Sequence, residues 1–439
     1  MHQAGGRGMS INYDKLVVSG IEFQSVLKLQ ISQKVNTHAT VELELEVNKE
    51  IGQLYMQGVN EQEMITIGVP EVIFIGAIQK VTLNYEESYC VLHLQLVSSS
   101  ILWDIQKVNR SYQIVGDTYS QIMTKATNGQ GIIEFNGKDI TSTGMIVQYQ
   151  ETIWEFILRL AAECGEPVYV NPTSEKPHVI IGVQQSSNTY SSNVTSNKGA
   201  EGCCSGYVAL GGTTEQGLNI GCSNSVMQNG ELITSYESMI ADTMVVPKTR
   251  PKFAGRVMAG FVKAVNRDLV QVHITDLDSE YDGGTTVWLP YSTLYSSEAN
   301  SAGIYCMPAV GDPVRVFFPT DNPGDAFVSS SCAVRGIRED AAEKCFTTPE
   351  GMTVLFGKEG IYINNNKKWT YILLAKSGDI QIASEQNINI HAKQNINMQA
   401  TEGQIYLKSD KKICLATGQS MLAIGTDDTI MVSKRILTQ

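Results

Sequence analysis

Ser377-Gly378-Asp379-Ile380-Gln381-Ile382-Ala383-Ser384, followed by EQNINIHA at 385–392 and KQNINMQA at 393–400, repeats with a period of eight. An apolar-x-apolar pair recurs at Ile380/Ile382, Ile388/Ile390 and Ile396/Met398, and resumes after one extra residue at Ile405/Leu407 and Ile413/Leu415. Two weaker pairs follow, Leu422/Ile424 and Ile430/Val432. Such a pair has strand periodicity, with both members on one face and a polar residue on the other. A unit this short cannot bury its apolar face alone, so a partner surface must close it. Each octad supplies a strand of about 10–13 Å plus a turn. Turn residues such as Gly378-Asp379, Gln386-Asn387 and Asp427-Asp428 tolerate left-handed backbone and bond to their own main chain.

The chain of 439 residues is long enough for two to four domains. Its net charge of −12 argues against a nucleic-acid or anionic-membrane footprint, which needs clustered Lys and Arg. Tyr371-Ile372-Leu373-Leu374-Ala375 is far too short to span a bilayer. MHQAGGRGMS has no apolar core and reads as a disordered leader over 1–9, not a signal peptide, so synthesis in the cytoplasm is expected. The nine cysteines form no CxxC and read as reduced thiols. Cys203, Cys204 and Cys222 lack a fourth ligand nearby, so no metal is assigned to them.

Residues 10–100 read as strands (Ile11–Val18, Ser25–Val35, Ala39–Val47, Met64–Ile67, Val91–Val97) punctuated by Gly20, Gly52, Gly58 and Gly68. A helix is expected over Asp117–Ala126, with Asp117 as N-cap, and a second over Thr152–Cys164, closed by Gly165. In the second, Ile153, Phe156, Ile157, Leu160 and Ala161 share one face. Trp154 and Phe156 read as core anchors. Glu151 and Glu155 read as ion-pair partners of Arg159, not as a catalytic carboxylate pair. The Ser/Asn/Thr-rich stretch 184–206 reads as a loop. Five short strands within 250–336 (Gly255–Val265, Leu269–Ile274, Thr286–Pro290, Pro313–Phe318, Phe327–Ala333) suit a small barrel of the oligonucleotide/oligosaccharide-binding (OB) type. That barrel lacks the Lys/Arg and aromatic ladder of a nucleic-acid groove. There is no HExxH, GxSxG or phosphate-binding loop, and the six histidines stand apart, so no catalytic residue, cofactor or metal is assigned and the chain reads as non-enzymatic.

Three segments carry a family likeness. Glu151-Thr152-Ile153-Trp154-Glu155-Phe156-Ile157-Leu158-Arg159-Leu160, ending at Gly165, is similar to an E-[ST]-x-x-[DE]-F-[IL]-x-R-[IL]-x-x-x-x-G segment. Pro308-Ala309-Val310-Gly311-Asp312-Pro313-Val314-Arg315-Val316 resembles P-x-V-G-[DE]-x-V-x-V, and Asn322-Pro323-Gly324-Asp325 and Ala333-Val334-Arg335-Gly336 follow it. The octads are the third. In this order they resemble the fused hub and spike proteins of contractile injection machines: phage tails, R-type bacteriocins and the VgrG proteins of type VI secretion.

The resemblance implies a mainly β fold: hub β-barrels with a few helices, an OB barrel and an intertwined triple-stranded β-helix. The expected division is a leader at 1–9, a hub of two barrel subdomains at 10–248, the OB barrel at 249–337, a linker at 338–350 and a needle at 351–439. It implies a homotrimer that joins tube and baseplate proteins at the hub end. At the other end it would meet a PAAR-type cap or an effector, and it would puncture the target membrane on sheath contraction. The expected trimer core is Ile380, Ile382, Ile388, Ile390, Ile396, Met398, Ile405, Leu407, Ile413, Leu415, Ile430 and Val432. The chain departs from the phage puncturing spike in having no room for a lysozyme domain between Arg335 and Gly351, and its array holds only His391, where metal-tipped spikes use His-x-His. A β-helical tail fibre that binds a receptor, and a peptidoglycan hydrolase within 101–245, are the alternative readings.

Overall fold

A computed structural model describes residues 15–58, 63–69, 71–183, 189–196, 199–279, 282–297, 302–332, 340 and 342–436. The expected leader, the start of the Ile11–Val18 strand, the Ala333–Gly336 motif and the last three residues lie outside these. The fold is mainly β, about 45% strand, so sheet ladders and not helix packing carry the framework. The chain divides into two compact units, 1–335 and 336–439.

A twelve-stranded sheet dominates the first unit. In the Thr40–Val47 strand, Val41, Leu43, Leu45 and Val47 are buried while Glu42, Glu44 and Glu46 turn to the other face. The ladder aligns this apolar set with its neighbours: Leu29 faces Leu43, which faces Leu94, which faces Val81. One stripe of side chains therefore fixes the register of four strands, because a one-residue slip would turn every one of them outward. The Ser25–Lys34 strand also pairs with Asn219–Gln228, which brings chain segments almost two hundred residues apart into one sheet. The seam is polar but satisfied. Gln33 Nε2 donates to Val208 O and Ser223 Oγ (both 3.2 Å), Tyr207 OH donates to Gln33 Oε1 (3.1 Å), and Thr234 Oγ1 donates to Gly206 O (2.6 Å).

Three expectations need correction here. Gly52 and Gly58 do not punctuate strands; they lie in helix α1 (Lys49–Gly58). A Cβ on Gly52 would sit 2.9 Å from Leu83 Cδ1 and 3.2 Å from Val47 Cγ2, so the glycine lets the helix lie close on the sheet. The Glu71–Tyr85 strand was not read from the sequence: Ile73–Ile78 is buried without interruption, which erases the two-residue period. The polar stretch expected as a loop contains the strands Thr189–Tyr190, Asn193–Ser196 and Gly199–Ser205. Gly202 fits there because the Tyr236 ring occupies the space a side chain would need.

Helices α2 (Tyr119–Ala126) and α3 (Ile153–Cys164) share a core that includes Trp103, Ile122, Phe156 and Leu160. The α2 cap is Thr118, not Asp117: Thr118 and Gln121 form a reciprocal capping box, while Asp117 takes the Lys125 ammonium. The family-like positions of α3 each have a local task. Thr152 caps the helix by accepting from Glu155 N (3.1 Å), and Glu155 returns the bond from Thr152 N (2.9 Å). Gly165 ends it at φ 77° in left-handed backbone. Phe156 is fully buried. The expected Glu155–Arg159 pair does not form, since the cap holds Glu155. Arg159 instead makes two parallel bonds to Glu151 (2.8 and 2.9 Å), donates to Val147 O (2.7 Å) and lies 3.6 Å from Glu163.

Five antiparallel neighbours form the next barrel, in the order Leu289–Pro290, Leu269–His273, Arg256–Asn266, Pro313–Phe318, Phe327–Ser331. A parallel bridge between Tyr291 and Val328 closes the two ends on each other. Val262, Val270, Val272, Val316, Phe318 and Val328 fill the interior. In the Pro308–Val316 motif, Gly311 turns at φ 91° and Asp312 Oδ2 accepts Ala309 N (2.8 Å). A buried carboxylate fastens the barrel to the Val108–Tyr112 strand: Asp278 accepts from Ser111 N (2.6 Å) and Ser111 Oγ (2.5 Å).

The α3 contacts rank two substitutions. Arg159→Ala leaves the nearly buried Glu151 unpaired and should cost about 3–5 kcal/mol. Thr152→Ala should cost about 1 kcal/mol through the cap. Urea melts of both variants against the parent check the order, and equal effects would contradict it.

Candidate assembly surfaces

The second unit begins with a five-stranded antiparallel meander: Lys344–Thr347, Thr353–Gly357, Gly360–Asn364, Tyr371–Ala375 and Ile380–Ala383. Its first strand lies inside the stretch expected as a linker. The register sets Phe346, Val354, Ile363, Ile372 and Ile382 in one row across all five strands. Phe356, Ile361, Leu374 and Ile380 form a second row two residues along, on the same face. All nine are exposed or half-buried, with Ile380 at 68% and Ile382 at 60%. A contiguous apolar face of this kind marks an interaction surface. Gly360 shapes the meander: at φ 141° a Cβ would fall 2.0 Å from Leu374 O.

Beyond the meander, residues 384–411 pair with no strand among the described residues. Ile388, Ile390, Ile396, Met398, Ile405 and Leu407 lie there, every one exposed. A three-stranded sheet follows: Lys412–Thr417, Ser420–Gly425 and Thr429–Val432. Ile413 faces Ile424, and Leu415 faces Leu422, which faces Met431. Ile430 faces Ala423 and Val432 faces Met421, on the opposite side. Thus Ile380 and Ile382 join the meander's face, Ile413 and Leu415 share a second face, and Ile430 and Val432 take its reverse. The upstream rows from Phe346 to Leu374 were not read from the sequence. Their signal was present in Val354/Phe356, Ile361/Ile363 and Ile372/Leu374, which have the same apolar-x-apolar spacing without the eight-residue period.

One constellation in the first unit has the residue types of a hydrolytic triad. Ser100 Oγ lies 2.8 Å from His38 Nδ1, and His38 Nε2 lies 3.3 Å from Asp104 Oδ2. Chain separations of about sixty residues hid it from sequence reading. Ser100 is fully buried, so no substrate reaches it. Asp104 also accepts the Thr152 hydroxyl at the α3 cap (2.6 Å), and the His38 ring packs 4.3 Å from Trp154. The group is a latch between the large sheet and α3. Among the described residues, no three His, Cys, Asp or Glu side chains are grouped to hold a metal.

No protein-family model matches the sequence, and no curated protein does. Solved structures do match. The chain is similar to the E. coli c3393 protein, described as a component of the type VI secretion system with structural similarity to T4 bacteriophage tail proteins gp27 and gp5; identity is 12%, 72% of this chain and 100% of that chain are covered, and the TM-score is 0.50. It is also similar to the Francisella PdpA–VgrG complex in its half-lidded form (10% identity, 87% and 90% covered, TM-score 0.49). A 43 kDa tail protein of prophage MuSo2 from Shewanella oneidensis matches as well (12% identity, 53% and 99% covered, TM-score 0.42). At such identities the likeness is one of fold. The fold is the gp27/gp5-like tail-hub fold, as the sequence motifs implied.

Gly360→Ala should loosen the meander by about 1–3 kcal/mol through backbone strain and the clash at Leu374 O. Gly403→Ala, with open space around it, should have no effect. Limited proteolysis of the two variants measures the difference.

Two buried groups set opposite pH dependences. Burial lowers His38 below its ordinary 6.5, against the hydrogen bond that Asp104 accepts from it. The unfolded chain then takes up this proton first, so stability is lost as pH falls below 6.5. Burial raises Asp278 from 3.8 to about 6, against its bonds from Ser111. Here the folded chain holds the proton more tightly, so stability rises as pH falls from about 6 toward 3.8. His38→Gln should therefore shrink the drop in Tm between about pH 7.5 and about pH 5, and Asp278→Asn should enlarge it.

Proposed function

We propose that this chain is the hub and spike of a contractile tail-like injection particle, built from three copies. The observation that carries the reading is an uncovered apolar sheet face, running from Phe346 to Ile382, on a chain whose fold is that of a tail hub. Two more copies of the same ladder supply the missing cover. Each buried Ile, Leu, Val or Phe would contribute roughly 1.5–3 kcal/mol, and nine per chain outweigh any surface ion pair. Winding three chains around one another also pairs the strand edges of residues 384–411, which removes an aggregation hazard.

In this reading the exposed residues from Ile388 to Leu407 form the trimer core, together with Ile380, Ile382, Ile413, Leu415, Ile430 and Val432. The closed five-stranded barrel, with its parallel contact between third and fifth strands, serves as an OB-type spacer. The hub end joins tube and baseplate proteins, the other end seats a cap or effector, and puncture is mechanical, without catalysis. The protein is made in a bacterial cytoplasm and assembled there into the particle.

Light scattering should give three times the 48.1 kDa chain mass. The double variant Ile363→Lys/Ile372→Lys should lose the assembly's resistance to heat and detergent. A monomeric parent protein overturns the reading.

A further inference from the structure

Between Thr243 and Arg267 the chain carries Lys248, Arg250, Lys252, Arg256, Lys263 and Arg267 and no Asp or Glu, although its net charge is −12. Nothing in a hub or spike role calls for this run. The structure puts its first part, Val-Pro-Lys-Thr-Arg-Pro-Lys at 246–252, along a cleft of about 790 Å³ in the first unit. The facing wall consists of Lys107, Tyr149 and the exposed side of α3 around Leu158.

Three features make this a peptide groove more than a charged surface. First, among the described residues the 246–252 segment makes no backbone–backbone hydrogen bond, and Pro247 and Pro251 hold it extended. Its main-chain groups are open to pairing, and little entropy is lost when they pair. Second, Arg250, Lys252 and Arg256, the cations that line this side of the cleft, are not neutralised within it. The two carboxylates in the cleft are already engaged, Glu151 by Arg159 (2.8 Å) and Glu155 by the α3 cap (2.9 Å). Arg250, Lys252 and Arg256 are exposed and form no ion pair among the described residues. Third, Arg250 and Lys252 stand two residues apart where the segment lines the cleft, so an extended chain with acids at every second residue meets them in step, about 7 Å apart. The apolar lining from Tyr149, Leu158, Pro247 and Pro251 suits side chains between those acids.

We propose that this cleft is a docking groove for an extended, acidic peptide segment of a partner protein, bound alongside residues 246–252. The inference stands apart from the trimeric spike reading. A phosphate polymer fits less well, because the groove is narrowly cationic, partly apolar and bordered by two glutamates.

The test uses the full-length protein and a fluorescein-labelled peptide in which Glu alternates with Thr and Val. Anisotropy should show saturable binding that weakens as salt rises from about 0.05 M to about 0.5 M. A Gln-for-Glu peptide, and the variant Arg250→Glu/Lys252→Glu, should each bind about tenfold more weakly or worse. Both residues are exposed, so the variant should keep the parent's Tm and oligomeric mass. A second variant, Leu158→Asp, tests the apolar wall and should also weaken the peptide. No binding, equal binding of the Gln peptide, or unchanged binding by Arg250→Glu/Lys252→Glu would overturn the proposal. Inorganic polyphosphate binding more tightly than the peptide would overturn it too.

Discussion

An apolar sheet face left against water is the constraint on which the second unit depends. Phe346, Val354, Ile363, Ile372 and Ile382 form one row across five strands, and a second row lies beside it on the same side. The ladder pairs the three inner strands on both sides within one chain, yet it cannot cover the side chains it lines up. Further along, even the backbone of residues 384–411 has no partner strand among the described residues. Hydrogen bonding and hydrophobic burial therefore both point outward, and a second surface with the same period answers both at once.

The first unit shows the opposite economy. Its polar groups are matched inside the fold with few left over. Gln33, Ser223 and Thr234 close the seam between distant halves of the sheet. Around α3, Glu151 neutralises Arg159 while Glu155 is taken by the cap. The His38 latch ties the helix back to the sheet, and Asp278 ties the barrel to the Val108–Tyr112 strand. The family-like spacing of the α3 segment thus has a mechanical meaning: each named position holds one end of a joint. Arg250, Lys252 and Arg256 stand out because they form no ion pair among the described residues.

Much of this was legible as periodicity. The alternation of Val41, Leu43, Leu45 and Val47 named a buried face, and the ladder uses it. The i, i+3, i+4 pattern of α3 and its terminal Gly165 marked both helix ends to within a residue. Where the signal failed, burial or context explains it. Ile73–Ile78 is covered on both faces and so lost its alternation. The strands within 189–205 are short and rich in Ser, Asn and Gly, which hide the strand signal of Tyr190 and Val194, and the sheet nonetheless recruits them. Gly52 read as a breaker because its value lies in close packing against Leu83.

The sequence by itself determined the apolar pairs, helix α3 with its closing Gly165 and the eight-residue repeat, because each depends on neighbours within about one turn or one hairpin. Tertiary structure alone decided the partners. It chose Glu151 over Glu155 for Arg159, joined Ser100, His38 and Asp104 across sixty residues, and extended the apolar face upstream to Phe346. It also divided Ile413 and Leu415 from Ile430 and Val432. The physical reason is common to all four. Periodicity states which way a side chain points, but strand register and competition for hydrogen bonds state what it meets.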